Sequence, residues 1–242
     1  MLNALDLAVV CATGLASAFL GSVAGTGGTL VLMPVLVIYF GIQDATVLIT
    51  VGNLAANISR TVASRRELDL KVVAWFALGA IPLSVLGTWL FTISAPEYMA
   101  RLLGAFILGV VVWRRLKPHP PPQRGAVWFL PVGAGFGFLS GLVPGVGVLM
   151  APFYLAYGLT RNAYIGTDAF ATVFMQVTKL ATLGAAHFVT AAVVVNGLVL
   201  VPFMIFGTLI GKRLLERLPE RGFTFIIEAV MVVSGLHFLL RG

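Results

Sequence analysis

The stretch Gly25-Thr26-Gly27-Gly28-Thr29-Leu30-Val31-Leu32-Met33-Pro34 returns, two residues shorter, as Gly145-Val146-Gly147-Val148-Leu149-Met150-Ala151-Pro152. The echo extends outward on both sides. Ser17, Gly21 and Gly25 at four-residue spacing answer Gly137, Gly141 and Gly145. Thr50 answers Thr167, and Ile81-Pro82 with Gly87-Thr88 answers Val201-Pro202 with Gly207-Thr208. The offset is about 120 residues and the chain between these marks is apolar. A duplicated apolar unit punctuated by glycine is the pattern of a secondary transporter built from two repeats.

Composition sets the solvent. Of 242 residues, 59% are hydrophobic and 10% charged, against roughly 25% charged in a soluble domain. So much apolar surface is stable only against lipid. The net charge of +7 does not point to nucleic acid, because the basic residues fall in short loops between apolar runs, where they encode orientation. The lone Cys11 allows no intramolecular disulfide and no thiol metal site. Met1 to Asp6 hold no Lys or Arg, so the first apolar run reads as a retained helix rather than a cleaved leader.

Ten apolar segments are expected, at about 5–23, 26–40, 44–63, 71–91, 98–115, 126–143, 146–158, 162–186, 190–211 and 222–240. Eight are long enough to cross a bilayer of about 30 Å. The second and seventh are short, and each follows a Gly-rich break. Paired short segments in matching places point to a binding site. The chain divides into a first membrane repeat (1–115), a basic proline-rich linker (116–124) and a second membrane repeat (125–242).

Charge decides the topology. With all ten segments crossing, the loops at 64–71, 114–125, 159–162 and 212–221 share one side, and they hold most of the Lys and Arg. That side is cytoplasmic and both termini lie outside. Five crossings per half is an odd number, so the second repeat is inverted relative to the first. The expected fold is therefore an all-α polytopic membrane protein with two inverted-topology repeats of five segments. Trp75, Trp113 and Trp128 suit the interfacial belt.

Two sets of residues could carry function. The breaks Gly25-Thr26-Gly27-Gly28 and Gly145-Val146-Gly147 precede short segments, and unpaired amides at two helix starts would make an anion site from backbone. Gly21 and Gly141 read instead as helix-packing glycines. The glycine run is not a phosphate loop, since Thr29 follows Gly28 where that motif needs Lys. The second set is a pair of polar helix faces. The third segment presents Thr50, Asn53, Asn57 and Arg60, and the eighth presents Thr167, Asp168, Gln176 and Lys179. Asn53, Asn57 and Gln176 could equally be bonds between helices. Lys179 and Asp168 are eleven residues apart, roughly 16 Å along a helix, so they do not pair directly. Lys179 reads as countercharge, with Arg60 as a second candidate for it, and Asp168 is the candidate proton carrier. His119, His187 and His237 have no ligand spacing, so no metal and no cofactor is expected.

With these marks in place the chain resembles the TauE/SafE family of sulfite and organosulfonate exporters. The resemblance rests on the Gly-rich break running to Pro34, its second copy ending at Pro152, Ile165-Gly166-Thr167, and the paired Pro82/Gly87-Thr88 and Pro202/Gly207-Thr208. It implies a transporter of small sulfur-containing anions in the cytoplasmic membrane, not an enzyme. The expected ligand is sulfite or a short organosulfonate, with lipid around the protein and the glycine faces serving packing within one chain or in a homodimer. The alternatives are a transporter of a carboxylate or a metal cation and, more remotely, a membrane-embedded enzyme. An enzyme needs a nucleophile, base or metal set in reach, and no such cluster stands out in the sequence.

Overall fold

A computed structural model describes residues 11–12, 14–16, 29–116, 125–215 and 231–240. All regular structure among these residues is helical. The helices are α1 (Thr29–Ala63), α2 (Leu70–Ile93), α3 (Pro96–Leu116), α4 (Phe129–Leu142), α5 (Ala151–Tyr157), α6 (Arg161–Ala185), α7 (Ala191–Leu215) and α8 (Met231–Leu240). Short 3-10 turns at Ala126–Trp128 and Val146–Leu149 precede α4 and α5. Leu32–Val62, Leu70–Ile93 and Pro96–Trp113 are long and apolar enough to cross a membrane, with shorter apolar helices at Ala126–Leu142, Ala191–Gly207 and Met231–Leu240.

The second and third apolar segments are not separate helices joined by a loop. They form one helical run, α1, interrupted at Gly41, whose φ of 74° and ψ of 165° are non-helical. A glycine supplies this break because it adopts positive φ without a steric penalty. The first Gly-rich break, Gly25 to Gly28, lies outside the described residues.

The chain forms two compact units, and each draws on both halves of the sequence. One comprises 1–52, 95–115 and 188–242, the other 53–94 and 116–187, so the division falls inside α1 after Gly52. In the first unit Leu32, Met33, Leu36, Leu48, Ile49, Leu103 and Ile107 are fully buried. A Cβ on Gly14 would meet Leu200 of α7 at 3.1 Å, and one on Gly104 of α3 would lie 2.6 Å from the Gly235 carbonyl of α8.

The second unit is built on glycine. A Cβ on Gly133 would collide with the Phe76 carbonyl, on Gly137 with that of Ala80, and on Gly87 with that of Phe138. Small residues four apart let two backbones touch, which is how helices associate where no hydrophobic force separates lipid from Leu. The pairs 76–133, 80–137 and 88–141 rise together, so α2 and α4 run parallel. α6 runs the same way. Near its start Thr167 Oγ1 accepts from the Asp69 amide (3.0 Å), and near its end Lys179 reaches Ser140 of α4. Between α4 and α6 the chain returns. Phe153 packs edge-on to Phe136 at 5.5 Å, and Tyr154 and Tyr157 pack on Phe129 at 5.1 and 5.4 Å. The stretch from Val143 to Leu159 thus runs from the end of α4 back to its start. The short seventh segment therefore follows α4 back in broken geometry, a 3-10 turn and then a seven-residue helix.

Caps fix the shared end. Asp69 caps α2, its carboxylate accepting from the Lys71 and Val72 amides at 3.0 and 3.1 Å. Thr160 caps α6 by accepting from the Ala163 amide. The residues leading directly into α2, α4 and α6, including the turn with Arg65 and Arg66, therefore lie at one end of this unit.

Candidate functional site

All the described candidates except Thr50 fall in the second unit, where they separate into two groups. At the end where α6 starts, Thr167 is fully buried and its hydroxyl is engaged with the Asp69 amide. Asp168, beside it, interacts electrostatically with Arg60, whose own side chain is exposed. Tyr154 is close enough to feel the Asp168 charge. Its ring stacks on Phe129 and lies 5.7 Å from that of Tyr164, and its fully buried hydroxyl has no hydrogen-bond partner.

Toward the other end lies Lys179, 2% exposed. It belongs to a buried stripe of α6 repeating every four residues through Thr167, Ala171, Met175, Lys179 and Leu183, with Gln176 beside it. Its ammonium donates a 2.7 Å hydrogen bond to the Ser140 carbonyl. Arg60 and Lys179 are thus not partners in one place. Arg60 belongs with Asp168, and eleven residues of α6, about 16 Å, separate that carboxylate from Lys179.

The second glycine break follows directly from α4. Val143 is extended, as the residue before proline must be, and Gly145 is left-handed with φ of 93°. Val146 is buried, and a Cβ on Gly147 would meet open space. An α-helix start was expected at Gly145–Gly147. Instead Val146–Leu149 is a 3-10 turn, and α5 begins at Ala151 with Pro152 in its first turn. Seven residues of α-helix carry only a weak end charge, so side chains must supply most of the polarity here. α4 is 14 residues long, a rise of about 21 Å. That is shorter than the roughly 30 Å thickness of a bilayer core.

On the third segment, Thr46 and Thr50 bond back to the Ile42 and Thr46 carbonyls at 2.6 Å. Asn57 is buried and Asn53 half-buried. Among the described residues three hydroxyls are buried without partners, Ser84, Thr88 and Tyr154; sequence reasoning passed over Ser84 and Tyr154 and marked Thr88 only as a repeat position. A Ser and a Thr four apart in an apolar span was the available signal for the first two. An open recess of about 450 Å³, lined by Val62, Ser64, Arg65, Arg66 and Glu67, lies at the basic end and away from Lys179. Among the described residues no three of His, Cys, Asp and Glu come together.

Apolar spans, a glycine-broken segment and a buried lysine define a helical, membrane-embedded protein with a polar interior. The family model described as sulfite exporter TauE/SafE matches residues 10–238, and the chain belongs to that family of membrane transporters for sulfur anions such as sulfite. No curated protein and no solved structure matches the chain.

Proposed function

We propose that this protein exports a small sulfur oxyanion, sulfite or a short organosulfonate, and holds it inside the membrane beside Lys179. The observation that carries the reading is the buried ammonium at the end of α4. It is a cation kept in an apolar layer, where an unpaired charge costs at least about 2.5–3.5 kcal/mol. One of its three donors is committed to Ser140. Gln176, nearly one turn earlier on α6, and Asn57 supply further amide donors to the polar interior. Thr167, Asp168 and Arg60 serve the opposite end, Thr167 as a clip and Asp168 and Arg60 as opposite charges near the entrance.

The basic loops face the cytoplasm in this reading and both termini lie outside. The parallel run of α2, α4 and α6 supports it, because it gathers the turn at 64–69, with Arg65 and Arg66, and the entries to α4 and α6 at 125–128 and 159–160 at one end of the second unit, in keeping with the positive-inside rule. The inverted repeat is supported by a matching contact. Gly14 against Leu200 in the first unit corresponds, at the 120-residue offset, to positions 134 and 80, which both lie in the α2–α4 seam of the second: a Cβ on Gly79 would meet the Ala134 amide and one on Gly137 the Ala80 carbonyl. An inside-negative potential favours anion exit by about 2.3 kcal/mol per charge per 100 mV, so no coupling ion is needed.

The test is efflux of sulfite from proteoliposomes holding the purified protein. Export that quickens with an imposed inside-negative potential, and that sulfate, chloride and carboxylates do not match, is the expected outcome. Transport of a divalent cation in place of any anion would overturn the reading.

A further inference from the structure

Ser84 and Thr88 sit four residues apart on α2, and therefore on one face. Both are fully buried, and neither hydroxyl has a hydrogen-bond partner. A helical Ser or Thr ordinarily returns its hydroxyl to the carbonyl one turn back. Thr46, Thr50, Thr61, Thr178 and Thr182 of this chain all do so. Ser84 and Thr88 do not. A buried hydroxyl without a partner destabilises a fold, so two on one face call for a ligand.

Their position is fixed by α4. A Cβ on Gly141 would lie 2.5 Å from the Thr88 amide, and Ser140, the residue before Gly141, receives the Lys179 ammonium. Thr88 is thus level with that bond, and Ser84 is one turn below it. The lipid-facing side of α2 carries Ile81, Val85, Leu86 and Trp89, all exposed. Ala80 and Gly87 form the ridge against α4. Ser84 and Thr88 occupy the buried flank beside that ridge. α6, the other long helix packed on α2, sends Lys179 across to the end of α4. The Gly145–Gly147 break lies just beyond, with open space at Gly147.

We propose that Ser84 and Thr88 bind the transported anion together with Lys179, each donor taking an oxygen of one sulfur centre. This rests on the sulfur-anion reading above and adds its specificity determinants. A sulfite or sulfonate head presents three oxygens on one sulfur and can engage two hydroxyls and an ammonium at once. A carboxylate presents two, and chloride has no separate oxygens to share.

The test measures sulfite and methanesulfonate affinity by calorimetry on the full chain in nanodiscs, with the melting temperature of the ligand-free protein alongside. Ser84→Ala and Thr88→Val should each weaken sulfite binding about tenfold or more, as loss of a hydrogen bond to an ion does, while the ligand-free protein melts no lower. Thr88→Ser, which keeps the hydroxyl, should bind as the original does. Chloride competition should change less than twofold. If both hydroxyl-free variants bind sulfite within twofold of the original, the inference fails and the anion reading stands. If the original chain binds neither sulfite nor methanesulfonate, both fail.

Discussion

Lys179 of α6 donates to the backbone carbonyl of Ser140, 39 residues earlier, at 2.7 Å. The reason lies in the sequence after Ser140. Its carbonyl would normally accept from the amide four residues on, and that residue is Pro144, which has none. Pro144 also holds Val143 extended, ending α4. The ammonium fills the vacancy and places positive charge at the negative end of a helix.

Replacing Lys179 should therefore do two things. Lys179→Met leaves the Ser140 carbonyl unpaired, at a cost of about 1–3 kcal/mol, visible as a lower melting temperature without ligand. It should also abolish sulfite binding and export. Unchanged export in the variant would sink the countercharge role, whatever happens to stability.

The α2–α4 contact predicts a sharp contrast among glycines. Gly133→Ala and Gly137→Ala drive a Cβ into the Phe76 and Ala80 backbones, and backbone cannot swing aside as a side chain does. Each should lose about 2 kcal/mol or more, in the range of overpacked cores. Gly135→Ala, with open space around it, should be neutral or gain up to about 1 kcal/mol from helix propensity. Denaturation in detergent ranks the three.

Thr167 offers a control on the location of the site. Thr167→Val removes the acceptor for the Asp69 amide and should cost about 1 kcal/mol. Asp69→Ala, which uncaps α2, should cost about 0.5–2 kcal/mol. Neither should alter sulfite affinity, because both act at the opposite end of the unit from Lys179. A tenfold loss of affinity in Thr167→Val would instead place the anion there.

Asp168 and Arg60 separate uniport from proton coupling. Asp168→Asn keeps the side chain's shape and removes its charge. In uniport its sulfite efflux follows membrane potential as the original does, and an imposed pH gradient drives neither protein. Efflux by the original chain that responds to a pH gradient, and loses that response in Asp168→Asn, would make this carboxylate the proton carrier.

Much of this architecture can be read from local pattern. Apolar runs at 71–91, 98–115, 126–143 and 190–211 place α2, α3, α4 and α7 to within a few residues, because burial in lipid leaves a continuous apolar signal. The four-residue glycine spacing marked Gly141 as a packing residue and the Gly145-Val146-Gly147 run marked a break, to which the structure adds a positive φ at Gly145. What local pattern does not carry is the identity of partners. Thr167 is tied to a residue 98 positions away, and nothing near it in sequence distinguishes a clip from a ligand donor. Gly79 escaped notice, and Gly87 was legible only as a repeat mark, because their eight-residue spacing acquires packing meaning only against the Gly133, Gly137 and Gly141 series. The merger of two segments into α1 hinged on Gly41, a single residue whose dihedrals absorb a break that otherwise requires a loop.

The backbone-on-backbone seam of α2 and α4 has a mechanical consequence. Side-chain interfaces slide by hopping between rotamers, but carbonyls lodged against glycine have no rotamers to exchange. The pair must behave as a single beam during a transport cycle, and bending has to be absorbed at joints where glycine already departs from helix, such as Gly145 with φ of 93°. The glycines that draw the two helices together thereby determine which part of the molecule stays stiff while its cargo moves.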